Sequence, residues 1–507
     1  MRPHATPNRP IGNTDDDEGV TDTGLILALV IVGAVLLDTF VRPRRARWLP
    51  VPRASAGGVW LLMLMTAALF GTTLALSGNL WVAAALALAL EALLVLASNA
   101  KRAMLGEPLL FSDLALIGAI FRHPQFYLSA LREWQKMAIA VVAGLLFAAL
   151  AWLFVPRLGP HLQGLAIAVV SMGLLLASLR LGPLSKAAST PRAEADVLRM
   201  GLLPSLLLYW LRWRETRDPA PIPETAGARQ HGQPELIIAI QCESFADPAE
   251  LFGEHAFALP GLAAARNMAF QWGDLQVSGF GAYTMRTEYA VLFGREEEDL
   301  GFRRYDPFLS AMGETSYALP RRLGTGLWRS LFLHPHDMRF YNRDRIMPAA
   351  GFAELVGEDR FEPPAPGQGR YVTDAAMTRE ILALAADARE PTMLYAVTIE
   401  NHGPWSSPEG SAVEALVQSY RTLVSKGDAM LSDLSAGLRA LRRPALLVFF
   451  GDHRPSIPGA SMPGGDRHTP YVMLRFDENG EPVVGQNEKR DITPATLHHE
   501  ILRAAQG

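Results

Sequence analysis

Three short apolar runs in the C-terminal half of this chain each end in residues that can bind a metal or move a proton. Leu236–Ile240 leads into Gln241-Cys-Glu243-Ser-Phe, Met393–Ile399 into Glu400-Asn-His402-Gly-Pro-Trp405, and Leu446–Phe450 into Gly451-Asp452-His453-Arg-Pro. In an open α/β sheet, functional groups gather just beyond the carboxyl ends of the strands. These runs therefore deliver carboxylates and imidazoles to one rim. Glu243, Asp452 and His453 form a mixed oxygen and nitrogen ligand set that suits a divalent ion such as Mn²⁺ or Zn²⁺. An Asp-His pair is common by chance; a position directly after an apolar strand is not.

The segment from Ser278 to Gly294 contains Gly279, Gly281 and then Thr284-Met-Arg286-Thr-Glu288. It reads as a glycine-rich loop opening into a helix at Thr284, where backbone N–H groups and the helix dipole favour a phosphate. A threonine hydroxyl is a poor nucleophile at neutral pH, but a coordinated metal lowers its pKa and aims it. The competing reading is that Thr284 simply caps the helix. Glu288 lies one turn on and on the same face, placed to support the site or the helix. His468, before Thr469-Pro-Tyr471, is a candidate for binding substrate or covering the site. His334 and His336 precede Tyr341 and are within reach of the rim, although a surface position is the default for both. Asp247 and Asp344 read as structural, and His498 and His499 as the surface of a C-terminal helix.

The elements that must hold these residues fall in two parts. Of 507 residues, 49% are hydrophobic and 19% charged, and the formal net charge is -4, with no basic nucleic-acid footprint. Five segments are apolar over about 18 residues or more, the length that crosses a hydrocarbon core: roughly 23 to 41, 57 to 77, 80 to 98, 137 to 155 and 161 to 179. The second and third are joined only by Ser77, Gly78 and Asn79, and the fourth and fifth by a few residues around Pro156 and Pro160, so both pairs are expected as tight hairpins. Residues 1–22 form a polar tail whose acidic run, Asp15 to Glu18, is the wrong charge for a signal peptide. A transmembrane region is expected over 23–183, with an interfacial loop at about 104–121. An interfacial helix and a proline-rich linker should fill 184–234. Short β-rich runs then alternate with helical stretches such as Ala375–Ala386 and Val413–Leu441, which predicts an α/β domain over 235–507. Cys242 is the only cysteine, so no intrachain disulfide can form.

Loop charges bear on orientation. Arg42, Arg44, Arg45, Arg47 and Arg53 follow the first segment, and Lys101, Arg102, Arg122, Arg132 and Lys136 lie between the third and fourth. The positive-inside rule assigns both loops to the cytoplasm. Five crossings would then leave the C-terminal domain there as well, and the run Leu202–Leu211, which holds Pro204, is too short to add a sixth.

Taken together, Glu243-Ser-Phe, Thr284 with Arg286-Thr-Glu288, Tyr341-Asn-Arg343-Asp344, Asn401-His402-Gly-Pro and Gly451-Asp-His453 resemble the lipoteichoic acid synthase-like phosphoglycerol transferases of the alkaline phosphatase and sulfatase superfamily. The match in order and spacing covers about 270 residues, far more than any single motif. The resemblance implies a membrane bundle of about five helices followed by an extracytoplasmic sulfatase-like domain with a central mixed sheet, in a bacterial inner-membrane protein. It implies that Glu243, Thr284, Asp452 and His453 hold one divalent ion, Mn²⁺ by family habit, with Zn²⁺ or Mg²⁺ as alternatives. Thr284 would be the nucleophile, Arg343 a substrate-contacting arginine and His402 the histidine that touches the phosphoryl group. Tyr341 stands where the lipoteichoic acid synthases have tryptophan, so the surface around the head group differs.

The expected function is transfer of glycerophosphate from phosphatidylglycerol, or another phospholipid donor, to an envelope glycan or polymer. Phosphoethanolamine transfer would use the same threonine, but those enzymes typically carry several disulfides in this domain. A phosphodiesterase releasing head groups to water is a further alternative, and so is a silent binder of lipid phosphate. A sulfatase proper would carry its nucleophile as a modified Cys or Ser, whereas Cys242 lies beside a ligand.

Overall fold

The computed structural model describes residues 14–42, 55–114, 133–180, 182–224, 232–253, 257–365, 369–405 and 412–506. It divides into two compact units, residues 1–102 with 107–212, and residues 103–106 with 213–507. Arg44, Arg45, Arg47, Arg53, Arg122 and Arg132, and residues 115–121 of the expected interfacial loop, lie outside the described residues.

The first unit is helical: α1 (Thr14–Asp38), α2 (Ala56–Ser77), α3 (Leu80–Leu105), α4 (Glu133–Trp152) and α5 (Leu158–Arg180). Among the described residues, Thr21–Asp38, α2, α3 and α5 are long and apolar enough to cross a membrane, and the apolar part of α4, Lys136–Trp152, is shorter. The predicted fourth segment ran to residue 155, but the helix stops at Trp152. Pro156 disfavours helical backbone just before it. The turn between α2 and α3 forms where expected: Gly78 takes the left-handed conformation (φ 66°) and Asn79 Oδ1 accepts from Trp81 N at 3.0 Å. Glu91 of α3 is buried and accepts from Thr66 Oγ1 of α2 at 2.6 Å, which gives a carboxyl among apolar helices its partner.

α2 and α5 pack with their backbones close together, and two glycines permit it. A Cβ on Gly164 would lie 2.3 Å from Ala75 N, and one on Gly71 2.5 Å from Ala168 N. Small residues of this kind let membrane helices gain dispersion contacts that larger side chains would block. After α5 come two helices too short to span, α6 (Ala193–Met200) and α7 (Leu202–Glu215).

The second unit is a three-layer α/β domain. Its seven strands, β1 (Leu236–Cys242), β2 (Gln271–Leu275), β3 (Arg329–Leu333), β4 (Glu354–Val356), β5 (Thr392–Val397), β6 (Ala445–Gly451) and β7 (Thr469–Phe476), lie in the order β2-β7-β6-β1-β5-β3-β4. β1 is parallel to β5 and β6, whereas β7 is antiparallel to β6 and to β2, so the sheet is mixed as expected. Every residue of β1, β5 and β6 is buried, because helices cover both faces. Ile237, Ala239, Met393 and Tyr395 face one core with α8 (Thr284–Phe293) and α12 (Pro494–Gln506). Leu236, Ile238, Ile240 and Leu394 face the other with α10 (Asp374–Asp387) and α11 (Val413–Leu441). α9 (Arg343–Ala349) follows β3.

The glycine contact between α2 and α5 is testable in the full-length protein. Gly164→Leu is expected to cost about 1–3 kcal/mol or more through overpacking, seen as a lower melting midpoint in detergent. Gly173→Leu on the same helix, where a Cβ meets nothing within 4 Å, should melt like the parent.

Candidate active site

Strand register builds the centre. Cys242 of β1 sits opposite Gly451 of β6, so the next residue on each chain is a carboxylate, Glu243 and Asp452. Gly451 is required there, because a Cβ would lie 1.9 Å from Phe245 O. Glu243, Asp452 and His453 are all buried, and one donor atom from each lies within 4.8 Å of the other two. Asp452 Oδ1 accepts from the amides of Ser244 (2.8 Å) and His453 (2.9 Å), while Oδ2 has no hydrogen-bond partner. His453 Nδ1 lies 3.2 Å from Arg454 O and donates to it, which turns the Nε2 lone pair toward the cluster. Nε2 is 3.5 Å from Glu243 Oε1 and 3.6 Å from Asp452 Oδ2. Burial, and then the charge of Asp452, push the Glu243 carboxyl well above the ordinary carboxylate range.

Two buried carboxylates, one orphaned oxygen and an inward imidazole lone pair form a donor set with a deficit of positive charge. A divalent cation fits it.

Thr284 completes the group. It is the first residue of α8, and Tyr283, not Thr284, occupies the cap position without a side-chain cap bond. The Thr284 hydroxyl lies instead 3.2 Å from His453 Nε2, in a buried setting. This answers the capping alternative, because the oxygen is spent on the cluster and not on the helix. Gly281 (φ 75°) donates its N–H to Arg454 O at 3.1 Å, tying the glycine loop to the residue after His453. Thr287 Oγ1 donates to Asp452 O at 2.7 Å and fixes the first turn of α8 against the same loop.

One turn on, Glu288 grips Arg343 in a two-pronged pair, Nε to Oε1 at 2.9 Å and Nη2 to Oε2 at 2.6 Å, with both side chains buried. Behind Glu288, Gln241 Nε2 lies 3.5 Å from Oε2, and Gln241 Oε1 accepts from Tyr395 OH at 2.9 Å. Arg343 Nη1 is the terminal nitrogen that this network leaves uncommitted. Tyr341 and Asn342 both take left-handed backbone, φ 58° and 53°, a conformation that costs a non-glycine residue about 1–2 kcal/mol. The ring of Tyr341 lies between Phe308 and Phe340, 5.0 Å from the Arg343 guanidinium.

His402 forms another wall. Its Nδ1 lies 2.8 Å from Gly403 O, and its ring meets Tyr371 edge to face at 5.8 Å. Desolvation by the surrounding protein lowers its pKa although part of the ring is exposed, and Arg370 acts in the same direction. Glu400, just before it, accepts from Asp374 N (2.7 Å) and from Lys426 (2.6 Å), which anchors the loop. Asp374 itself is fully buried with neither carboxyl oxygen bonded, and burial, then Glu400, push its pKa up to about 8 against the pull of Lys426.

Several residues take places that their types did not announce. His334 is buried at the end of β3, with Nδ1 3.0 Å from Val397 O and a pKa driven well down by burial and then by Arg343. A surface default fails for it. β3 was not anticipated, because the apolar run Leu331–Leu333 is too short to mark a strand even though His334 and His336 follow it. Arg370 and Tyr371 were missed for a similar reason: they follow a proline-rich loop with no pattern. His498 is also buried, its Nδ1 2.9 Å from Val291 O of α8, and burial pushes its pKa down to about 3; it braces the helix of Thr284 instead of facing solvent. His499 is exposed as expected, and Asp247 caps a short helix through Ala249 N at 3.0 Å. His468 has its ring nitrogens occupied by Glu250 and Asp466, beside Arg454 Nη2 at 2.9 Å. Glu250, Asp466 and His468 could also hold an ion by spacing, but the Arg454 guanidinium already supplies their positive charge.

A family model described as sulfatase matches residues 235–507. The chain is 30% identical over 431 residues to the capsular polysaccharide biosynthesis protein RkpI of Rhizobium meliloti (strain 1021), covering 80% of each. It is 26% identical over 314 residues to a putative cyclic beta-1,2-glucan modification protein of the same organism, covering 57% of this chain and 48% of that one. Among solved structures, the integral membrane lipooligosaccharide phosphoethanolamine transferase A of Neisseria meningitidis matches over 95% of both chains, with a TM-score of 0.52 and 13% identity. At that identity the likeness is one of fold, and it spans the helical region as well as the α/β domain.

Two outcomes follow from the geometry. Glu288→Ala should destabilise the protein by about 3–5 kcal/mol, because it strands the Arg343 charge in the interior; the double change Glu288→Leu with Arg343→Met should recover most of that in the melting midpoint. Asp374 is neutral in the folded protein at pH values where the unfolded chain ionises it. Its contribution is therefore complete below the unfolded carboxylate pKa and is lost as pH rises toward about 8. Asp374→Asn should flatten the melting midpoint between pH 5 and about 8, and an unchanged slope in that variant would contradict the assignment.

Proposed function

The chain belongs to the sulfatase family, and from that premise we propose that it is a membrane-bound phosphotransferase that moves glycerophosphate from phosphatidylglycerol to an envelope glycan or polymer. The observation that carries this reading is the Thr284 hydroxyl, first in its helix and 3.2 Å from His453 Nε2 inside the Glu243, Asp452 and His453 cluster. A threonine at that point gives an alcohol nucleophile in place of the modified residue of a sulfatase.

Glu243, Asp452, His453 and Thr284 would hold the divalent ion, whose charge lowers the pKa of the hydroxyl and offsets that of the phosphoryl oxygens. The acidified Thr284 hydroxyl would give its proton to solvent, and Oγ1 then attacks phosphorus in line and forms a P–O bond as the bond to the diacylglycerol oxygen breaks. His402, after taking up a proton from solvent, gives one to that oxygen, and its lowered pKa makes it a ready donor. The product is glycerophosphate esterified to Thr284. In the second step His402 takes the proton from an acceptor hydroxyl, the acceptor oxygen attacks phosphorus, and Thr284 leaves and takes a proton back from solvent, restoring its hydroxyl. Arg343 Nη1, with its other two nitrogens fixed by Glu288, is assigned to a phosphoryl oxygen. Tyr341 is assigned to the glycerol, and His468 to the rim, where an incoming anion would displace its carboxylate partners.

Charge favours glycerol over ethanolamine as the head group. A carboxylate is the strongest partner for an ammonium, and two near the Arg343 end of the site are already committed, Glu288 to Arg343 and Asp337 to Arg339, while Arg370 stands beside His402. The acceptor class rests on the names of the two Rhizobium meliloti relatives, one in capsular polysaccharide biosynthesis and one in glucan modification. Lipid donation to such glycans takes place outside the cytoplasm, so the α/β domain is assigned to that side of the inner membrane.

The test uses purified full-length protein, loaded with Mn²⁺ and incubated with phosphatidylglycerol. Mass spectrometry should find a glycerophosphoryl adduct on Thr284, and Thr284→Ala should lower diacylglycerol release by a factor on the order of 10⁴ or more. Full turnover in Thr284→Ala would end the proposal. Turnover of phosphatidylethanolamine in preference to phosphatidylglycerol would move the reading to the rival head group. Asp452→Asn should also lose the bound ion, measured by elemental analysis without any assay of activity.

A further inference from the structure

The helical unit contains a cavity of about 410 Å³ where the start of α2 and the segment that follows α5 meet α6. Lys186, Arg192 and Arg199 line it, and none of the three side chains makes an ion pair or hydrogen bond among the described residues. The hydroxyls of Ser189 and Thr190 join them. The one carboxylate among the described lining residues, Asp196, is already engaged, accepting from Tyr209 OH at 2.5 Å and from Arg192 N at 3.0 Å. Ser55 and Gly57 bring the N-terminal end of α2, a 22-residue helix whose dipole adds positive potential to the same space. The remaining walls include Leu184 and Met200, apolar side chains.

Three cations without partners among the described residues, a helix N-terminus and apolar walls at the start of α2 and just beyond α5 select an amphiphile with a negative head. We propose that this cavity is a binding site for the phosphate of an anionic phospholipid, separate from the Glu243, Asp452 and His453 cluster. Among the described residues between Arg180 and Leu236 no helix is long and apolar enough to cross again, so the lipid is assigned to the leaflet that the chain enters on leaving α5. Phosphate contacts would come from Lys186, Arg192 and Arg199, and the acyl chains would follow the apolar surfaces of α2 and α5. This binding needs no turnover and does not depend on the reaction proposed above.

Native mass spectrometry of the full-length protein tests it, with phosphatidylglycerol, phosphatidylcholine and inorganic phosphate as probes. The parent should retain one more phosphatidylglycerol than a variant carrying Lys186→Gln, Arg192→Gln and Arg199→Gln. Affinity for that lipid should fall about a hundredfold, the loss expected when three basic side chains are taken from beside an anionic head group. Arg192→Lys with Arg199→Lys should bind as the parent does. Equal retention of phosphatidylglycerol by the parent and the charge-free variant would overturn the proposal. So would phosphatidylcholine binding as tightly as phosphatidylglycerol, or inorganic phosphate displacing the lipid and binding alone. All three side chains are exposed and unpaired, so an unchanged melting midpoint in the charge-free variant confirms that its fold is intact.

Discussion

Two carboxylates placed side by side in a protein interior repel one another and lose their water, and a fold that keeps them there must supply the missing positive charge. Glu243 and Asp452 are such a pair, brought together because β1 and β6 are parallel neighbours whose last paired residues are Cys242 and Gly451. His453 turns a lone pair toward them, and the amides of Ser244 and His453 use one Asp452 oxygen and leave the other bare. Much of the surrounding structure follows from that deficit. α8 starts where its first hydroxyl meets the cluster, Thr287 secures its first turn, and His498 braces its far end.

The parts legible in the sequence were those in which a fully buried strand runs straight into polar residues. β1, β5 and β6 are continuous apolar runs because helices cover both faces of the sheet, and their ends carry Glu243, His402 and the Asp452-His453 pair. α11 matches its predicted span from Val413 to Leu441 because its apolar periodicity is long and unbroken. β2, β3 and β4 were not legible: they are short, and β2 and β4 are only partly buried, so no apolar run marks them. With β3 unseen, the burial of His334 at its end could not be foreseen. The Glu288 and Arg343 pair was also beyond sequence reasoning, since the two residues are 55 positions apart and nothing local joins them.

Loop charge in the helical unit deserves a structural reading as well. By count, the basic residues after α3 argue for a cytoplasmic loop. In the fold, Lys101 pairs with Asp113 at 2.5 Å and Arg102 with Glu194, so part of that charge is balanced by carboxylates distant in sequence. The positive-inside rule counts Lys and Arg and takes little account of such partners. Lys186, Arg192 and Arg199 show the complementary case, basic residues between α5 and the end of α6 without partners among the described residues, where a phosphate would balance them. An anionic lipid surface stabilises cations on either side of a membrane, which weakens the inference from loop charge to compartment.

The Glu288 and Arg343 pair shows why such a costly arrangement is kept. Burying two charges is rarely better for stability than burying two apolar side chains of the same shape. The pair therefore has to be explained by what it positions. Arg343 follows two residues in left-handed backbone, and its guanidinium is held by two bonds to Glu288, which itself stands one turn after Thr284 on α8. A lysine could satisfy Glu288 but could not keep a second, fixed donor direction, because only a planar guanidinium has donors on rigidly separated nitrogens. Thr284 and Arg343 are thus tied to the same helical turn through one carboxylate. In the proposed reaction, that link fixes the distance between the attacking oxygen and the donor that meets the phosphoryl group, and it does so before any substrate arrives.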